Sequence, residues 1–214
     1  MWDLEARCVS STGCVVGEGP LWSPSEQLLW WVDIKRAKLH RFNPSTGNTR
    51  RYDLPLKASA LAIRQGGLVM VGNREIGVFD PATEAYERKL LLEDGPGAGE
   101  TNDGGMAPDG CFWFGTMDGP EATGPGAYFR LTPEFEVERL PHAAVTVPNF
   151  MGFSPDGATF YTCDTAEQEI LAYDRDPVTG TLSGRRVFAT TTKIGGYPDG
   201  GAVDAVGRLW ICHF

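Results

Sequence analysis

Three features of the sequence predict an all-β chain folded as a β-propeller. No apolar pattern of helical period persists anywhere along the 214 residues. Short apolar runs alternate with turn signals, supported by 27 Gly and 15 Pro. One layout recurs five times: a polar or small anchor, a short strand, a turn, then a strand rich in aromatic or aliphatic residues.

The clearest copy runs from Glu100 to Met117. Asn102-Asp103 precedes or opens the first of two strands. The Pro108-Asp109-Gly110 turn joins it to Cys111-Phe112-Trp113-Phe114, which Gly115-Thr116 closes. Pro presets φ, Asp can bond its own following backbone, and Gly accepts φ > 0. Taken alone, Asn102-Asp103-Gly104 reads as a turn; its recurrence makes it part of a repeat.

The first copy pairs Gly17 to Pro24 with Leu28 to Asp33. The second pairs Ser59 to Ile63 with Leu68 to Gly72. The fourth pairs Pro148 to Phe153 with Thr159 to Asp164, and the fifth pairs Pro198 to Val203 with Leu209 to Cys212. The anchors Glu18, Ser59, Asn102, Asn149 and Asp199 are spaced by 41, 43, 47 and 50 residues. That is the period of a four-stranded propeller blade. A third strand is expected at Leu39 to Phe42, Ile76 to Phe79, Ala127 to Leu131 and Ile170 to Tyr173. A fourth, charged strand follows at Thr49 to Tyr52, Tyr86 to Leu90, Val137 to Leu140 and Arg185 to Phe188. Inner strands are apolar because both faces are packed; charge on the outer strand blocks edge-to-edge pairing.

The chain is 42% hydrophobic, enough for a sizeable core, and carries a net charge of −9. That charge argues against nucleic acid and against an anionic membrane surface. No apolar run approaches a membrane span, and Met1 to Glu5 carry acids rather than a basic leader. Cys8, Cys14, Cys111, Cys163 and Cys212 show no CxxC spacing, which argues against a zinc–thiolate site and for a reduced, cytoplasmic protein. Three of them, Cys111, Cys163 and Cys212, read as small apolar residues of inner strands.

Ala6-Arg7-Cys8-Val9 reads as a strand that closes the ring against the last blade. Four repeats follow in full, and the fifth, from about Gly195, has two strands before Phe214. The expectation is one domain, 1–214, with its propeller truncated after about four and a half blades. An open ring exposes inner edges and an apolar flank, which favours marginal stability and self-association.

In a propeller the innermost strands line a central channel, so residues at one repeat position converge on the axis. Two carboxylates, two amides and a hydroxyl would meet there. Two like charges held close need something positive between them. An all-oxygen set suits a hard divalent cation such as Ca²⁺, Mg²⁺ or Mn²⁺, with Zn²⁺ as an alternative. Such a cation polarises a carbonyl and acidifies water, the machinery of ester or lactone hydrolysis. Asp199 is placed to act as general base. A serine hydrolase is not indicated: GxSxG is absent, and His40, His142 and His213 occupy no anchor position.

The runs Gly17 to Trp22, Thr101 to Gly104, Phe114 to Met117, Asn149 to Gly157 and Pro198 to Asp204 together resemble the gluconolactonase / regucalcin family. The resemblance implies a six-bladed propeller that hydrolyses sugar lactones to aldonic acids with one divalent cation. It favours Ca²⁺ and leaves Zn²⁺, Mn²⁺, Mg²⁺ and Fe²⁺ open. It implies Glu18, Asn149 and Asp199 as metal ligands and Asp199 as catalytic base. Asn102 would contact substrate or water at the metal, with Glu100 and Glu121 facing the substrate. Ser59 is the one anchor the family does not use. Glu100 stands where the family commonly has Arg, and a carboxylate cannot donate the paired hydrogen bonds of a guanidinium. Phe150 stands where it commonly has Gly. Three functions therefore remain: a metal-dependent lactonase, a propeller that binds calcium or a small ligand without turnover, and an inactive truncated homologue.

Overall fold

The computed structural model describes residues 7–92, 99–117, 125–140 and 145–214. Its described residues are all-β, without helix, in five antiparallel sheets. The first is β1 (Gly17–Ser23), β2 (Leu28–Asp33), β3 (Lys38–Asn43) and β4 (Asn48–Asp53). The second is β5 (Ala60–Arg64), β6 (Gly67–Gly72), β7 (Glu75–Asp80) and β8 (Ala85–Leu91). The third is β9 (Thr101–Met106), β10 (Phe112–Thr116), β11 (Tyr128–Leu131) and β12 (Val137–Arg139). The fourth is β13 (Pro148–Phe153), β14 (Thr159–Asp164), β15 (Glu169–Arg175) and β16 (Leu182–Thr190). The fifth holds β17 (Pro198–Val203) and β18 (Leu209–His213). Each sheet runs in chain order, every strand pairing with the next.

First strands pack side by side in the order β1, β5, β9, β13, β17. This gives a propeller-like arrangement in which no sheet closes on itself. The approach is tight: a side chain at Gly105 would collide with the Met151 carbonyl of the neighbouring sheet. Between sheets lie apolar layers. Trp30, Leu39, Tyr52, Met70 and Phe79 fill one between the first and second. Trp113, Tyr128, Phe160 and Tyr173 fill another between the third and fourth. β4 and β16 are exposed almost throughout, as charged outer strands should be.

In the first and fourth sheets an aspartate ties the entering segment to its sheet. Asp33, ending β2, accepts the Val15 and Val16 N–H groups at 3.0 and 3.3 Å. Asp164, ending β14, accepts those of Thr146 and Val147 at 2.8 and 3.1 Å.

This corrects the reading of the N-terminus. Arg7 to Val9 form no strand, and Ala6 lies outside the described residues. The stretch that follows is tied to side chains of the first sheet: Ser10 by Thr49, whose hydroxyl lies 2.7 Å from its own, and Val15 and Val16 by Asp33. Cys111 and Cys163 are buried as expected, but Cys212 is exposed. On and around the fifth sheet Ile194, Tyr197, Val206, Trp210 and Phe214 are exposed. No helix among the described residues is long and apolar enough to cross a membrane.

Candidate metal centre

Four anchors sit at the second residue of their strands: Glu18 in β1, Asn102 in β9, Asn149 in β13 and Asp199 in β17. Each is followed by a bulge. Glu18 to Leu21 spans three steps against two, Val32 to Trp30, on β2. The same extra residue occurs between Thr101 and Gly104, Asn149 and Gly152, and Pro198 and Gly201. A bulge bends its strand and re-aims the side chains beside it. The second sheet pairs β5 with β6 without such a shift. Ser59 precedes β5, and its buried hydroxyl donates to Val71 O at 3.3 Å and lies 3.3 Å from the Thr101 hydroxyl. The hydroxyl anchor is thus wall structure.

A cavity of about 530 Å³ is lined by all five first strands. Glu18, Asp103 and Asp199 open onto it. Asn149, 7% exposed, and Asn102, which donates to it, lie behind the residues that line this cavity and are not among them. Glu100 precedes β9 and is exposed, and Glu121 lies outside the described residues, as does His142. Among the described residues no trio of His, Cys, Asp or Glu is close enough to hold a metal by itself. The set expected from the sequence differs in relying on an amide.

Asp103 is the residue that the sequence reading passed over. Its Oδ1 accepts Gly104 N–H and its Oδ2 accepts Phe150 N–H, both at 2.7 Å. Burial pushes its carboxyl up to about 6, against the pull of those two amides and with the Asp199 charge adding to the rise. Glu18 is pushed up to about 7, first by burial and then by the charges of Asp199 and Asp103, opposed only by the Gly19 N–H. Burial also raises Asp199, against the Gly200 N–H. Burial is the leading cause for all three; the charges of Asp199 and Asp103 add to the rise at Glu18, and that of Asp199 adds to the rise at Asp103.

Phe150 occupies the bulge beside Asn149 with φ 51°, the left-handed region where Gly would be free. Its ring is fully buried against Cys163 and Ile170, with Val203, Leu209 and Ile211 packed alongside. Phe150→Gly relieves about 1 kcal/mol of backbone strain but loses about 3–5 kcal/mol of packing. The variant is expected to show a lower urea midpoint than the parent; an unchanged or higher midpoint would refute this balance.

The profile of the SMP-30/Gluconolactonase/LRE-like region matches residues 16–214. The chain belongs to this family. Its relatives include the pentonolactonase XacC of Haloferax volcanii, 34% identical over 96% of this chain and 69% of the relative. The 6-deoxy-6-sulfogluconolactonase of Pseudomonas putida is 35% identical, over 97% of this chain and 72% of that enzyme. Among solved structures, the calcium-binding protein regucalcin from Agrobacterium tumefaciens superposes with a TM-score of 0.86 at 33% identity. That match covers 96% of this chain and 70% of the regucalcin. Family membership accounts for a whole-chain correspondence that no single motif could establish.

Proposed function

We propose that this chain hydrolyses a sugar lactone to its aldonic acid, with one divalent cation held by Glu18, Asn149 and Asp199. The observation that carries the reading is three carboxylates sharing one cavity, with the charges acting on Glu18 all negative. These three carboxylates are not close enough together to hold an ion by themselves, so the Asn149 amide oxygen completes the proposed set, and a cation would relieve the repulsion on Glu18. The lactonase names of two relatives support the substrate class. The six-bladed form of the ring and the preference for Ca²⁺ belong to the same proposal.

The donor set fits a hard cation: two carboxylates and an amide oxygen, all on bulged first strands. When bound, such an ion supplies positive charge that polarises a carbonyl and acidifies water. The chain's own groups do the rest. Asp199, with its carboxyl raised by burial, takes the proton from the attacking water on a carboxylate oxygen. Leu21, Leu61, Met106 and Met151 supply the apolar part of the cavity lining.

The test is acid release from aldonolactones after chelation, with Ca²⁺, Mn²⁺ or Zn²⁺ added back. A rate restored by the ion supports the reading; a rate no greater than background overturns it. Exposed Glu100, lacking an arginine's donors, favours a second reading in which the cation is bound without turnover. Cation uptake with no catalysis would establish that one.

Cation uptake is expected to depend on pH. Glu18 must lose its proton to bind, so affinity should rise with pH through about 7 and release a proton that calorimetry in buffers of different ionisation enthalpy detects. The sign for the cation-free fold is opposite. Folded values above the ordinary ones mean that the folded chain binds more protons, so its stability falls as pH rises from the ordinary carboxylate range through about 7. Cation affinity independent of pH across this range would contradict the assignment of Glu18.

A further inference from the structure

We infer that Thr165 is a positioning residue: its hydroxyl, acting with Asn102, fixes which way the Asn149 amide faces, so that oxygen and not NH₂ is offered to the cation. The inference rests on the proposed ligand role of Asn149.

The argument is one of hydrogen-bond directions. Thr165 is 6% exposed and follows the sheet-tying Asp164 at the end of β14. Its Oγ1 lies 2.7 Å from Pro198 O and donates to it. A carbonyl only accepts, so the single hydroxyl proton is committed there. Towards Asn149 the same oxygen can only accept, at 2.8 Å, and the atom facing it must be the amide Nδ2. The Asn149 Oδ1 is thereby turned the other way. Asn102 meets it from that side. Its Nδ2 donates to Pro148 O and to Asn149 Oδ1, each at 2.9 Å. Pro148 O is again acceptor-only, which fixes Asn102 independently. The orientation of an amide follows from its network, and here two carbonyls anchor the network from opposite ends.

An amide presented the wrong way would put two N–H dipoles towards a cation. A side chain free to flip would lose affinity in proportion to the time spent reversed, and would leave buried polar atoms unpaired. Thr165 also joins the two sheets that carry Asn149 and Asp199, because Pro198 immediately precedes Asp199 on β17. No charge, metal-binding motif or turn signal marks Thr165 in the sequence.

The experiment titrates Ca²⁺ and Mn²⁺ into the full chain by calorimetry, comparing the parent with Thr165→Val, Thr165→Ala and Thr165→Ser. Val keeps the shape without the hydroxyl; Ala avoids a buried methyl should Val fail to fold; Ser restores the hydroxyl. Cation affinity is expected to fall about tenfold or more in Val and Ala and to return to within a few-fold of the parent in Ser. Far-UV circular dichroism of each cation-free variant verifies the fold. Folded Val or Ala variants that bind as tightly as the parent overturn the inference, as does a Ser variant as weak as Val. A parent chain that binds neither ion overturns the ligand reading beneath it. Binding lost in Glu18→Ala but unchanged in Thr165→Val leaves that reading standing and removes only the role of Thr165.

Discussion

Replacing Asp199 by alanine is expected to abolish metal-dependent lactone hydrolysis. Two losses coincide at this residue. As proposed ligand, it supplies one of the two charges that hold the cation. As proposed base, it removes the proton from water, a contribution of about 10²–10⁴ in rate. Asp199→Asn separates them, since an amide oxygen can still face a cation but cannot take a proton at neutral pH. The Asn variant should bind Mn²⁺ measurably and turn over at least about a hundredfold slower. Ser59→Ala is the matched control. Its hydroxyl bonds within the wall, to Val71 O and Thr101 Oγ1, and β5 pairs with β6 without a bulge that would turn it inward. A small loss of stability with an unchanged rate is expected. Equal losses of rate in Asp199→Ala and Ser59→Ala would contradict the division of roles.

Removing Asp109 is expected to have the largest effect on stability away from the cavity. Its Oδ1 accepts the Cys111 N–H at 3.0 Å, which makes the Pro108-Asp109-Gly110 turn. Its Oδ2 pairs with Arg175 of the next sheet and with Arg130 at 3.4 Å. The Arg175 side chain is 1% exposed and lies over Trp113 and Phe153. Asp109→Ala strands that buried charge, a change that costs about 3–5 kcal/mol. Asp109→Asn keeps an acceptor for the turn and should recover part of the loss. Burial pushes the Asp109 carboxyl up, but the Cys111 amide, Arg175 and Arg130 outweigh it and hold the group below its ordinary value. A depressed folded value contributes stability at neutral pH that disappears as pH falls through that value. The urea midpoints of parent and Asn variant should therefore converge in acid. A gap that stays constant into acid would show that the ion pair is not its source.

Strand positions were largely legible because a four-stranded unit repeats with its own turn chemistry. Pro-Asp-Gly and its equivalents act locally, and an apolar run between two such turns has few other structures open to it. The anchors were legible as a register for the same reason. Asp103 was not: an Asn-Asp-Gly run looks like a turn until its partner, the Phe150 N–H, is known, and that partner lies 47 residues away. Arg7 to Val9 were misread because strand propensity does not say whether an edge is available to pair with. The bulges left no sign in composition. Gly19 fits a left-handed position, but Phe150 adopts one too, held by tertiary packing against its preference.

The sequence by itself determined the order of the strands from Gly17 onward, the turns between them, the charged outer edges and the family to which the chain belongs. These rest on interactions between near neighbours, or on a pattern that repeats. The tertiary structure alone decided which side chains face the cavity, why Ser59 does not, and how Thr165 and Asn102 hold Asn149 between them. Those outcomes depend on a one-residue register shift and on the direction of single hydrogen bonds between sheets, and neither can be read from the order of residues.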